Sequence, residues 1–416
     1  MPDAAGLIEV EVGPPAHGGG CVARHEGRVV FVRHALPGER VRARITEDRG
    51  GSYCRADAVE ILTASPDRVA PPCPYAGPGR CGGCDWQHAS GAAQRAMKAH
   101  VIREQFRRVA GLDVGGLLPA VEELPGGLLG WRTRVTYAVD GAGRAGLHRH
   151  RSTEIEHVER CLLGAPGVGD AAALGERWPG FIAVEAARGD DGEVAVLGHR
   201  PGPGRRPRGR RPPDRVALVS GPEVLHHEVR GRSFRVSPGG FWQVHPAAAA
   251  TFAQALLDAL RPMPGDRVLE LYSGAGSLTA VLAQAVGARG AVIGIEGSAA
   301  AVQDAAANLA DLPWATVRHG RVTAATVGDA IAAPDLVVLD PPRAGAGRDV
   351  MSAICALRPR FVGYVSCDPA TLARDVALAA EGGWRLHRLR AFDAFPMTQH
   401  VECVAALAPD NTLTRP

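Results

Sequence analysis

The sequence predicts an α/β protein in which an open, mostly parallel sheet follows a small amino-terminal β-barrel and a mixed central segment. Three observations predict it. Residues 7–63 form short β-patterned runs punctuated by glycine and proline, with no helical period between them. After His245, apolar strands alternate with helical stretches at the spacing of βα units, which implies a sheet covered on both faces. The 416 residues, at ~100–200 per domain, suggest two to four domains. The pattern divides the chain at 1–64, 65–235 and 236–416. Hydrophobic residues at 46% and charged residues at 22% exclude a wholly disordered or fibrous chain. No stretch reaches the ~18 unbroken apolar residues of a spanning helix, and MPDAAGLIEVEVG has neither a basic start nor an apolar signal core. A cytoplasmic protein without a membrane partner is expected.

Taken in order, LIEVEV, GGGCVARHEGRVVFVRHAL, ERVRARITED and SYCRADAVEIL supply the barrel strands. Arg24, Arg28, Arg33, Arg40, Arg42 and Arg44 interleave there with Val and Phe, as on a sheet whose open face meets either water or a polyanion. Net charge is only +3, so distribution matters more than the sum, and Lys98 is the single lysine. Residues 92–109 bring Ala93, Met97, Val101, Ile102 and Phe106 near helical spacing and predict one amphipathic helix that could bridge two domains. WRTRVTYAV, DGAG and RAGLHRH read as a hairpin with a glycine turn. Arg200 to Arg215 holds seven arginines among prolines and glycines, a basic loop read as a tolerated insertion ahead of a dedicated RNA contact. A helix over residues 246–260 then leads to RVLEL, AVIGIE, DLVVLD, FVGYVSC, WRLHRLRAFDAF and HVECVAAL.

Sheets of this kind bind ligands at the carboxyl ends of their strands. In ELYSGAGSL, Gly274 and Gly276 permit a tight turn and close approach of the backbone to a ligand. The next strand ends at Glu296, which can accept both hydroxyls of a ribose; the two features in this order favour an adenosine-containing cofactor over mere tight packing. DLVVLDPPR sets Asp340 and two prolines just past a buried strand, as a site residue or a turn cap. Cys367 ends the following strand and precedes a helix amino terminus, which favours its thiolate. It shares the strand-end level of Asp340 and Glu296, so it is read as a nucleophile in preference to an inert packing thiol. Glu402 lies in an otherwise apolar strand, with His400 two residues earlier on the same face. A carboxylate there is costly unless paired or used, and it makes a plausible proton acceptor. Cys73, Cys81, Cys84 and Cys161 could together hold zinc or an iron-sulfur cluster, and spacing does not separate the two. Cys21, Cys54, Cys355 and Cys403 read as small packing residues.

GGGCVARHEGRVVFVRHALPGERV, CPYAGPGRCGGCDWQH, GFWQVHP, ELYSGAG, DPPRAG, YVSCDPATLARD and FPMTQHVECV, spread over nearly the whole chain, resemble the class I S-adenosylmethionine-dependent RNA 5-methyluridine methyltransferases. The resemblance implies a class I, Rossmann-like methyltransferase domain, an amino-terminal TRAM/OB-like barrel that binds RNA, and a central α+β domain carrying a cysteine cluster. It implies that Cys367 is the nucleophile and Glu402 the general base. Gln243, Tyr272, Gly274, Gly276, Ser277, Glu296 and Asp340 would then form the S-adenosyl-L-methionine site. It favours a [4Fe-4S] cluster on Cys73, Cys81, Cys84 and Cys161, with zinc as the alternative, and a monomer acting on RNA, with 23S rRNA favoured over tRNA. His245 and Ser273 stand where the family commonly has Asn and Cys, and Ser277 replaces a cofactor-contacting Asn. Two competing readings are a non-catalytic RNA-binding factor, against which Cys367 and Glu402 both speak, and an exocyclic-nitrogen methyltransferase, which needs no cysteine nucleophile.

Overall fold

The computed structural model describes residues 6–170, 172–202 and 214–410. Most of the basic loop, 203–213, therefore lies outside the described residues. The first five strands are β1 (Leu7–Glu11), β2 (Cys21–His25), β3 (Arg28–Arg33), β4 (Arg40–Asp48) and β5 (Tyr53–Thr63), ordered β1-β4-β5-β3-β2. Val41 and Ala43 on β4 point inward with Val10, Val30, Val32 and Ala56, while Arg40, Arg42 and Arg44 alternate outward. Three register shifts between β4 and β5 bend the sheet. It does not close as the expected barrel: β1 and β2 share no ladder among the described residues. Its arginines are also more neutralised than their number suggests. Arg28 pairs with Asp48, Arg33 with Asp85, Arg40 with Glu9 and Arg42 with Glu60.

Helix α1 (Gly91–Gln105) starts where the Ser90 side chain accepts from the Ala93 amide, and continues as a π-helical turn to Ala110. Ala99, Ile102 and Phe106 pack into the core of the carboxyl-terminal sheet. The short strand β6 (Val121–Glu123) joins that sheet at its edge. The predicted hairpin forms as β7 (Arg134–Val139) and β8 (Ala145–His148), in an antiparallel sheet with β9 (Ile155–Glu156), β10 (Ala183–Arg188), β11 (Val194–Arg200) and β12 (Arg215–Ser220). Helix α2 (Ala172–Gly175) lies beside β8, and a separate hairpin, β13 (Leu225–Val229) and β14 (Arg232–Val236), follows.

Then the alternation begins: α3 (Ala248–Leu260), β15 (Arg267–Leu271), α4 (Ser277–Val286), β16 (Ala291–Glu296), α5 (Ala299–Asn308), β17 (Ala315–His319) and α6 (Ala324–Ala330). It ends with β18 (Leu336–Leu339), α7 (Arg348–Ala356), β19 (Phe361–Ser366), α8 (Pro369–Glu381), β20 (Trp384–Asp393) and β21 (Glu402–Pro409). The sheet order is β17-β16-β15-β18-β19-β21-β20-β6. Strands β15 to β19 run parallel; β21 is inserted antiparallel beside β19. The order reverses on either side of β15, so the crevice for a ligand opens at the carboxyl ends of β15, β16 and β18. Among the described residues no helix is long and apolar enough to cross a membrane.

Candidate active site

Strand β15 is buried to its last residue and then turns sharply through Tyr272, whose φ of +64° is left-handed without the freedom of glycine. Gly274 (φ +54°) and Gly276 (φ +82°) complete the turn, and Gly276 caps α4. A Cβ on Gly276 would come within 3.2 Å of Ala305 on α5, so this position needs glycine for both conformation and space. The Glu296 carboxylate accepts the Gly274 amide at 2.9 Å and the Ser298 amide at 2.7 Å, which ties the turn to the end of β16.

A cleft opens over this turn, lined by Gln243, Tyr272, Gly274, Ser277 and Asp340. Glu296 and Gly276 support it from behind. Two further lining residues, Phe241 and Glu270, carry no sequence signal that marks them as ligand contacts. Phe241 is 67% exposed, the largest such exposure among the large apolar side chains described. Glu270 accepts a hydrogen bond from the Thr279 hydroxyl, and burial pushes its carboxyl up to about 8. Asp340 receives Gln243 Nε2 at 3.3 Å, and desolvation pushes its pKa up as well. A desolvated carboxylate with one neutral donor and, among the described residues, no salt-bridge partner suits a cationic ligand; the glycine turn and Glu296 suit a nucleoside. The residues present therefore fit an aminoacyl-adenosine cofactor.

The reacting pair lies next to this cleft. Ser366 on β19 stands opposite Cys403 on β21, so Cys367 and Glu402 each lie one residue beyond that last pair, and the Glu402 charge bears on the thiol. Glu402 is 2% exposed; burial and then the nearby Asp340 charge raise its pKa, while Arg343 acts the other way. Cys367 departs from the sequence expectation. Its thiol is pushed up to about 11, by burial first and then by Glu402, with Asp340 and Asp368 adding to the rise. The amino terminus of α8 does not outweigh them, because Asp368 caps it: its Oδ1 accepts the Ala370 and Thr371 amides. Arg343, in the loop after β18, is the cation that favours the thiolate. Its Nη2 lies 3.4 Å from His400 Nε2. His400 sits in the loop before β21, not on the strand face with Glu402, and burial lowers its pKa to about 4.

Residues 222–409 match the family model of tRNA (uracil-5-)-methyltransferases, and residues 7–59 match the TRAM domain. A protein of Streptomyces avermitilis described as an uncharacterized RNA methyltransferase is 49% identical over 96% of this chain and 98% of its own. The 23S rRNA (uracil(1939)-C(5))-methyltransferase RlmD of Chromohalobacter salexigens is 34% identical over 95% of this chain and 88% of its own. The chain belongs to the RNA uracil-C5 methyltransferase family. Among solved structures, the Pyrococcus abyssi tRNA (uracil-54, C5)-methyltransferase in complex with S-adenosyl-L-homocysteine shares the fold, with a TM-score of 0.69 at 20% identity over 96% of this chain and 100% of that one.

In this family member the four cysteines come from two segments of the central region. Cys73, Cys81 and Cys84 are each raised, by burial first, and Cys161 adds to the rise in all three. Cys84 and Cys161 pack against Trp131, Leu163 and Met397, so the cysteine segment abuts the loop that leads to Glu402. Among the described residues no group of three or more Cys, His, Asp or Glu side chains is arranged to hold a metal ion. Thiolates are ligands that suit either an iron-sulfur cluster or zinc.

Proposed function

We propose that this methyltransferase uses S-adenosyl-L-methionine to methylate carbon 5 of a uridine, with Cys367 as covalent nucleophile and Glu402 as general base. The observation that carries the reading is the pairing of Ser366 with Cys403, which leaves Cys367 and Glu402 one residue beyond the same pair, with the Asp340 charge of the cleft bearing on both. Gln243, Asp340, Glu296 and the Tyr272–Ser277 turn would hold the cofactor. When bound, it supplies an electrophilic methyl group as a sulfonium.

Carbon 5 of uracil is a weak nucleophile. Once the thiol proton has passed to water, a bond from Cys367 Sγ to carbon 6 turns the ring into an enolate whose carbon 5 can be methylated. Because the resting thiol sits near 11, the thiolate must be drawn out by its surroundings. Arg343 favours it, and a cation brought to Asp340 removes a charge that opposes it. After methylation Glu402, as carboxylate, takes the carbon 5 proton. The carbon 6–sulfur bond then breaks and its electron pair returns to Cys367. The base must first leave its stack, at a cost of a few kcal/mol that RNA contacts elsewhere offset.

We favour 23S rRNA as substrate, because the 34% identical relative that spans the chain is named for that reaction. The reading also includes a [4Fe-4S] cluster on Cys73, Cys81, Cys84 and Cys161, on the resemblance of CPYAGPGRCGGCDWQH and a distant fourth cysteine to the family pattern. We place the enzyme in the cytoplasm, where nine cysteines suit thiol chemistry or metal ligation better than a disulfide framework. Nucleoside mass spectrometry of rRNA and tRNA from cells with and without the gene tests the substrate. Loss of 5-methyluridine from 23S rRNA is expected; loss from tRNA alone would overturn the rRNA assignment, and loss from neither would overturn the enzymatic one.

A further inference from the structure

The turn before β2 reaches out of the TRAM region to both sides of the catalytic pair. His17 Nε2 lies 3.2 Å from Asp368 Oδ2, and the Gly18 amide donates to Gln399 Oε1 at 3.2 Å. Asp368 is bonded in sequence to Cys367, and Gln399 lies in the loop that enters β21 at Glu402. The turn is held in place on its other side: Trp86 Nε1 donates to the Gly19 carbonyl at 2.9 Å, and a Cβ on Gly19 would come within 2.9 Å of Asp85 Oδ1. Asp85 Oδ2 in turn accepts the Gln399 amide at 3.0 Å. One turn of the RNA-binding module thus meets the nucleophile loop, the base loop and the cysteine segment.

We infer that His17 is a positioning residue for methyl transfer, fixing the Cys367 loop and offsetting the Asp368 charge beside the thiol, so that the TRAM region completes the active site. The inference rests on the reading of Cys367 as nucleophile. Division of labour within Asp368 supports it. Oδ1 serves the helix cap, and Oδ2 faces His17. Against the burial that would raise it, the His17 bond and the cap amides bring Asp368 down to about 2, so it carries its charge next to Cys367. The same bond raises the pKa of His17. The charges that bear on the thiol are Glu402, Arg343, Asp340 and Asp368, and only the last is partnered from the TRAM region.

The test uses the full chain and two readouts. In the first, iodoacetamide alkylation of Cys367 is followed by peptide mass spectrometry without RNA. His17→Ala should slow it about tenfold at fixed pH, by exposing the thiol to an unpartnered Asp368. His17→Arg should restore it, and in the Asp368→Asn background His17→Ala should change nothing further. His17 is exposed, so these variants should fold. In the second, steady-state methylation should show kcat falling about tenfold or more with KM for RNA unchanged. A rise in KM with kcat intact would make His17 an RNA contact and overturn the inference, as would alkylation within about twofold of wild type in every variant. If wild-type protein forms no Cys367 adduct with 5-fluorouridine RNA, the nucleophile reading fails, while the alkylation series still decides whether His17 governs the thiol.

Discussion

Cys367 and Glu402 each have a type and a strand-end place that are legible in the sequence, because a charged or nucleophilic residue seldom ends an apolar run unless it is paired or used. Their ionisation is not legible there. The thiol at about 11 results from burial and three carboxylates, of which only Asp368 is a sequence neighbour; Glu402 and Asp340 come from segments whose approach the pattern does not reveal. Glu402→Gln should permit methyl transfer yet stall proton removal, so a covalent RNA complex should accumulate on denaturing gels; prompt release of normal product would remove Glu402 from the base role. Glu270 carries a pH prediction. Its carboxyl titrates near 4.5 when unfolded and about 8 when folded, so its contribution to stability is full below 4.5 and is lost as pH rises to 8. The buried histidines His88, His245 and His400, lowered to about 4, act oppositely and have finished by pH 6.5. Asp340, raised to about 7, acts in the same direction as Glu270, so thermal unfolding of the unliganded protein should show Tm falling between pH 6.5 and 8, and Glu270→Gln should remove the part of that limb nearest pH 8.

Among the elements, the parallel strands and their helices follow from pattern because each buried run is bounded by a turn and a helical period. β17 and β6 do not: β17 is a half-exposed edge strand and β6 has three residues, too short for any periodicity. Helix α1 is legible as amphipathic, but its destination is not, since nothing local says that Lys98 crosses to the carboxyl-terminal sheet. There Lys98 Nζ, fully buried, donates to Asp393 Oδ1 at 2.5 Å and to the Phe395 carbonyl at 3.0 Å. These bonds anchor the start of the loop that carries His400 towards Glu402. Lys98→Met should leave Asp393 buried and unpaired and destabilise the protein by about 3–5 kcal/mol. The double variant Lys98→Met/Asp393→Asn should recover part of that loss in urea denaturation. Equal stability of the two would show that the ion pair is not what holds helix and loop together.

In the whole molecule, function depends on contacts that join distant segments. The sequence divides into three patterned regions, yet α1 and β6 pack into the carboxyl-terminal sheet, and the Asp85 and Trp86 amides both donate to the Met397 carbonyl. Such joints are long-range pairings, and a single sequence holds no periodic trace of them. The arginine-rich TRAM face illustrates the same limit, because its partners Glu9, Asp48, Glu60 and Asp85 appear only once the sheet is assembled. The cysteine segment, wedged against the base loop, should be structural. Cys81→Ser should lose bound iron, measured by elemental analysis of anaerobically purified protein, and should lower Tm along with methylation. Full iron content in that variant would remove Cys81 from the cluster, and zinc in the wild-type protein would replace iron as the assigned metal.

The proposed reaction turns on a covalent enzyme–RNA intermediate at Cys367. RNA transcribed with 5-fluorouridine lacks the proton that Glu402 removes, so wild-type protein and cofactor should yield a methylated adduct resistant to denaturation. Peptide mass spectrometry should place that adduct on Cys367, and Cys367→Ala should form none while still binding cofactor. An adduct on another residue, or methylation retained by Cys367→Ala, would rule that intermediate out.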